Sequence, residues 1–110
     1  MKLAGLLLSL CLLCGCASEA PLVPKEPPPI KNEQAPPKPG TGVFWMSGHW
    51  AWKDDSQVFY WVDGTWESER PGWIWFPGEW APVDDAQGQR QGWRWVPERW
   101  LRREEAGLPD

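Results

Sequence analysis

Four spaced hexads constrain this chain more than any other feature. Each follows the pattern Trp-x-x-Gly-x-Trp: Trp45 to Trp50, Trp61 to Trp66, Trp75 to Trp80, and Trp95 to Trp100. Gly48, Gly64 and Gly78 hold the shared glycine position, and Glu98 replaces it in the last copy. The copies use eight of the eleven tryptophans. The other three, Trp52, Trp73 and Trp93, each lie two residues outside a copy. An internal repeat fixes the architecture before any other reading. The copies begin at 45, 61, 75 and 95, and this uneven spacing argues against a solenoid with one fixed rung.

The hexad has a mechanical reading as a tight turn. In Phe76-Pro77-Gly78-Glu79, proline sets φ near −65° at the first central position and glycine supplies positive φ at the second. Ser47-Gly48 and Asp63-Gly64 fill the same places, the latter also suiting a type I′ hairpin. A two-residue turn pairs the two tryptophans of one copy, Trp75 with Trp80, on one face of a hairpin. Strand alternation adds Val43, Trp52, Phe59, Trp73 and Trp93 to that face. Eight short strands result, near 43–46, 49–52, 58–61, 65–68, 73–76, 79–82, 92–96 and 99–102. The predicted class is all-β, a small antiparallel meander of Trp-x-x-Gly-x-Trp hairpins. Two readings stay open for the last copy. It forms a hairpin led by Pro97, or Pro97 starts a helix that runs to Ala106 and stops at Gly107. In a domain this small the eight paired tryptophans are expected to form the core. Trp52, Trp73 and Trp93 sit at hairpin ends, where exposure is easier, and are the candidate binding residues.

The first residues read as an export signal. Met1-Lys2 is a charged start, and Leu3 to Leu13 is an apolar run too short to span a bilayer. Leu13-Cys14-Gly15-Cys16 resembles the bacterial lipobox, which implies cleavage after residue 15 and acylation of Cys16. Ala17 follows the cysteine, and lipoproteins of that kind go to the outer membrane rather than staying in the inner one. Cys11, Cys14 and Cys16 are the chain's three cysteines, so a mature domain has no disulfide. Residues 16–42 then form a lipid-anchored, proline-rich, disordered linker, an extended spacer of roughly 70 Å at full reach. Residues 43–110 form the tryptophan-rich domain.

Catalytic parts are missing from this sequence. His49 is its one histidine, and its position beside a turn suits a turn or cross-strand hydrogen bond. No metal-ligand spacing occurs, and Asp54-Asp55 and Asp84-Asp85 read as polar turns before they read as calcium sites. No cofactor is implied, and the chain is expected not to be an enzyme. A net charge of −4 together with an export signal opposes nucleic acid as a partner. An acidic aromatic surface favours cations through their attraction to ring faces, or sugars by stacking.

These motifs resemble the bacterial WXXGXW (YXWGXW) repeat family of small exported or lipid-anchored proteins. Phe59-Tyr-Trp61 and Trp73-Ile-Trp75 keep the aromatic that this family places before the first tryptophan, while Val43 and Glu98 depart from its pattern. The resemblance implies no reaction. Gly72-Trp73 with Gly78 and Trp80 is similar to choline-binding repeats, although the Tyr-Tyr that usually follows there is missing. The expectation is a non-catalytic outer-membrane lipoprotein facing the periplasm, anchored through a lipid on Cys16. Its repeat module would serve envelope structure or contact an envelope protein. The alternative is a module that captures peptidoglycan or a quaternary ammonium group on Trp52, Trp73 and Trp93.

Overall fold

The computed structural model describes residues 20–109, so the export signal and Cys16 lie outside the described residues. Eight strands form, all antiparallel: β1 (Val43–Met46), β2 (His49–Lys53), β3 (Val58–Val62), β4 (Thr65–Ser68), β5 (Trp73–Phe76), β6 (Glu79–Asp84), β7 (Arg90–Val96) and β8 (Arg99–Arg102). The all-β class expected from the repeat is what the chain adopts. The turns, however, are not where the hexads put them.

Strand β1 pairs with β4, and β2 pairs with β3. Likewise β5 pairs with β8, and β6 with β7. The chain therefore makes two long hairpins, each bent once in the middle. The reversals fall at 54–57 and 85–89, in the two polar connections. The tryptophans pair between copies, not within one: Trp45 opposite Trp66, Trp50 opposite Trp61, Trp75 opposite Trp100, and Trp80 opposite Trp95. This corrects the pairing of Trp75 with Trp80. It also corrects the turn chemistry, because the positive-φ glycines are Gly42, Gly72, Gly88, Gly92 and Gly107, and none of the hexad glycines is among them. Proline before Gly78 suits an extended bend as well as a turn, and the local pattern alone does not separate the two.

The acidic pairs account for the true reversals. Asp85 Oδ1 accepts from the Gln87 and Gln89 amides, both at 2.9 Å, and Gly88 sits at φ +81°. Asp54 Oδ1 accepts from Gln57 Nε2 at 3.1 Å and from the Trp52 indole at 3.2 Å. Asp85 stabilises its turn by accepting from the backbone that follows it, whereas Asp54 ties its reversal through side chains. The last copy is neither a hairpin led by Pro97 nor a helix from it: β7 pairs with β6 and β8 with β5, and after β8 a short turn, 103–107, ends at Gly107 with φ +78°.

The two hairpins stack through rings. Phe44 meets Trp75 at 5.8 Å and Trp100 at 5.6 Å between centroids. Phe59 lies 5.4 Å from Trp80, and His49 stacks on Trp95 at 4.9 Å with 28° between planes. His49, expected to make a turn or cross-strand hydrogen bond, is placed by this stacking. Trp80 Nε1 also donates to the Trp50 carbonyl at 2.8 Å, a direct bond from one hairpin to the other.

No tryptophan is fully buried; all eleven are half-buried. The expected tryptophan core is instead a ladder of cross-strand rings, Trp45–Trp66 at 5.3 Å and Trp50–Trp61 at 5.2 Å, both near edge-to-face. Among the described residues the one buried apolar side chain is Val23, at 3 % exposure, and it comes from the proline-rich segment. That segment does not stand off as a free spacer. From Ala20 onward it lies on the hairpins as a strap. Val23 and Trp93 exchange two backbone hydrogen bonds at 2.7 Å. Trp93 and Pro82 form a non-hydrogen-bonded pair of the ladder, which turns the Trp93 N–H and C=O outward to the strap and lets a proline stand opposite.

Candidate functional site

The bend of the first hairpin is a socket for a carboxylate. Gly48 and Gly64 face each other where both arms change direction. A Cβ placed on Gly64 would lie 2.6 Å from Trp45 Cζ2 and 2.9 Å from the Gly48 nitrogen. One on Gly48 would run into the Val62 carbonyl and sit 2.8 Å from the Gly64 nitrogen. Close approach of two backbones, and not a left-handed φ, is what requires glycine at both places. The approach leaves two amide N–H groups aimed at one point.

Glu33 fills that point. Its Oε1 accepts from Gly48 N–H at 2.8 Å and its Oε2 from Gly64 N–H at 2.7 Å. The indoles of Trp45 and Trp61 also favour its charged form. Burial pushes the Glu33 carboxyl up. The two glycine amides and the two indoles outweigh that and hold it below its ordinary value, since every one of them favours the charged form. The other tryptophans of these copies donate to strap carbonyls, Trp50 to Pro29 at 3.0 Å and Trp66 to Pro36 at 2.9 Å. The first tryptophan of each copy thus serves the socket, and the second holds the strap beside it.

The second bend repeats the plan with a substitution. Gly78 lies under the Cζ2 edge of Trp95, as Gly64 lies under that of Trp45. Glu98 stands where Gly64 would, and its own Oε2 accepts from Trp75 Nε1 at 3.3 Å. A cavity of about 580 Å³ opens beside this bend. Trp50, Trp75, Trp80, Trp93 and Trp95 line it, together with strap residues Glu26 to Lys31.

The three candidate binding tryptophans are not brought together. Trp93 lines the 580 Å³ cavity, Trp52 a separate recess with Asp54, and Trp73 a third beside Arg70 and Trp100. Several ring faces are already covered by the chain's own cations. Lys31 lies 5.4 Å from Trp50 and 5.8 Å from Trp61. Arg70 lies 4.2 Å from Trp100, Arg102 5.0 Å from Trp73, and Arg90 5.0 Å from Trp93. Glu33 escapes the motif-based reading because it lies outside every hexad. Its one sequence signal is that no other acid occurs between Glu26 and Asp54.

Residues 40–67 match the family model described as the WXXGXW repeat, in 2 copies. The matched span is the first hairpin with its socket glycines, and it bears out the resemblance drawn from the motifs. No curated protein and no solved structure matches the chain.

Proposed function

We propose that this small repeat module is a non-catalytic interaction domain of the bacterial envelope, carried by an outer-membrane lipoprotein acylated at Cys16. The observation that favours it is the degree to which the ladder is already satisfied. Five indoles donate to acceptors within the chain, those of Trp50, Trp52, Trp66, Trp75 and Trp80, and those of Trp45 and Trp61 support the charge of Glu33. Five ring faces carry an internal cation, those of Trp50, Trp61, Trp73, Trp93 and Trp100. A cage for a quaternary ammonium group needs open aromatic faces, and these seats are taken. What the arrangement offers is a stiff surface, held by cross-strand rings, for another macromolecule to lean on.

The anchoring is tested by metabolic labelling with a palmitate analogue, followed by membrane fractionation. Label and outer-membrane recovery should both disappear in Cys16→Ala. Retention of label in that variant would refute it. The interaction reading is tested by titrating the protein with choline and with muropeptides while following tryptophan emission, which should not move.

Glycan capture is the second reading, and the 580 Å³ aromatic cavity is what favours it. Of the three outlying tryptophans only Trp93 lines that cavity. Trp93→Ala should then weaken retention on purified sacculi, whereas Trp52→Ala and Trp73→Ala should not.

A further inference from the structure

The strap is attached to the hairpins at discrete points, and each could be met by the same residue of another copy. Arg94 Nε donates to the Ala20 carbonyl at 3.0 Å, Val23 pairs with Trp93, and Trp50 and Trp66 hold Pro29 and Pro36. Glu33 sits in the socket between them. Beyond Pro36 the chain must turn back sharply. Pro36 lies at Trp66, and Val43 already pairs with Ser68, two residues further along the same strand. The six residues between include Pro37 and Pro39, all six are exposed, and a Cβ on Gly40 or Gly42 would meet nothing within 4 Å. Gly42 is held at φ +71°, with its carbonyl accepting from Glu69 N–H at 2.9 Å.

A short, stiff reversal that leads into a detachable element favours exchange of that element between copies. Straightening residues 37–42 would relieve the turn, and the strap would find an identical set of donors on a neighbour. The cost is the lost freedom of two molecules, so concentration sets the balance. We propose that the socket at the first bend accepts Glu33 from a second copy of the chain, and that two copies pair by exchanging residues 20–36. The carboxylate sets the register: no other acid lies within the stretch from Pro27 to Lys53, so only Glu33 can charge the socket when the strap is laid in this order.

Two experiments together decide it. In the first, two differently tagged wild-type chains are unfolded together and refolded at high concentration, with separately folded and then mixed chains as the control. Joint refolding should give a species of twice the monomer mass in which both tags co-purify, and the control should not. This arm uses no variant, so a folding defect cannot mask the result. In the second, a Glu33→Gln chain with ¹⁵N-labelled indoles is mixed and refolded with an unlabelled chain carrying Trp45→Phe and Trp61→Phe. The first has a socket without its own carboxylate and the second a competent strap. The Trp45 and Trp61 indole signals of the labelled chain should return to their wild-type positions as the heavier species forms. Absence of co-purification after joint refolding overturns the proposal. So does a heavier species in which those indole signals stay at the variant positions, because the contact would then lie elsewhere. Neither readout depends on where the protein resides in the cell.

Discussion

Replacing Glu33 with glutamine isolates the charge at the socket while leaving side-chain length and strap sequence intact. The carboxylate receives the Gly48 and Gly64 amides at 2.8 and 2.7 Å on different oxygens, plus two indole N–H groups. Glutamine keeps one acceptor oxygen. Its amide group turns two hydrogens toward the other donors, so at least one glycine N–H loses its partner. A hydrogen bond to a charged group is worth about 1.5–3 kcal/mol. Glu33 is half-exposed, so water replaces part of the loss, and we take about 2 kcal/mol for the change. That shifts the equilibrium between docked and released strap by about 30-fold. The effect should be local. Amide exchange at Gly48 and Gly64 and at the Trp45 and Trp61 indoles should accelerate, and the β2–β3 ladder should stay protected. The wild type should show the same release in acid. Its folded-state carboxyl lies below the ordinary value, so docking is fully supported above about pH 4.3. Docking weakens as pH falls through the lower, folded value. In Glu33→Gln this acid dependence should vanish. Unchanged exchange at Gly48 and Gly64 in the variant would refute the reasoning, because those amides would then have been satisfied some other way.

Four further changes probe separate parts of the fold. Gly48→Ala puts a methyl group into the Val62 carbonyl, a backbone atom that cannot swing away, and should lower stability by about 3 kcal/mol or more in thermal unfolding. Gly88→Ala meets open space and strains only its φ of +81°, so it should cost about 1 kcal/mol; equal effects at the two sites would contradict the close-approach argument. Trp80→Phe keeps a ring against Phe59 but removes the 2.8 Å bond to the Trp50 carbonyl, and should cost about 1 kcal/mol. Its signature is faster exchange between the hairpins with each hairpin intact. Val23→Ala trims the one buried apolar side chain of the described residues and should cost about 1.5 kcal/mol, read as lost protection of the Trp93 amide.

The class of fold and the strand positions were legible because tryptophan and β-branched residues alternate around every hexad. The site was not, for a reason of geometry. A glycine between two aromatic strands serves equally for a turn with positive φ and for two backbones in contact. Only the partner strand, far away in sequence, separates these uses. Asp63-Gly64 shows the trap: it carries a hairpin-turn dipeptide, yet Gly64 sits mid-arm against Gly48. The polar connections at Asp54 and Asp85 carry the chemistry for reversals, but a tight turn placed inside each hexad leaves them only the role of joining one copy to the next. The strap was hidden by its prolines. Lacking donors, proline cannot extend a sheet as a central strand, but it still offers carbonyls, and Pro29 and Pro36 are used in that way.

The spacing of five between the tryptophans of a hexad gives the strap its role. Along an unbroken strand an odd interval turns the two side chains to opposite faces. The bend between the two ring pairs undoes that separation: the strap accepts from the Trp50 and Trp66 indoles alike, and Trp45 and Trp61 line one recess beside Glu33. Phe44, on the face opposite Trp45, packs on Trp75 and Trp100 of the second hairpin. Phe59, in the same alternation as Trp61, packs on Trp80. At the crossover the arms cannot continue their ladder, so two glycine amides and two indoles face a gap without strand partners. A negative acceptor at that gap answers all four donors at once, and Glu33 supplies it in the first hairpin. The second hairpin has no strap glutamate hydrogen-bonded at its bend among the described residues. There the fourth copy gives up its glycine for Glu98, whose carboxylate reaches the Trp75 indole from within the motif. The departure at Glu98 and the strap's Glu33 therefore answer the same requirement. It follows that Glu98→Gly, which restores the motif to consensus form, should destabilise the second bend instead of improving it, and faster exchange of the Trp75 indole would register the loss. A stabilised second hairpin in that variant would break the equivalence of the two bends.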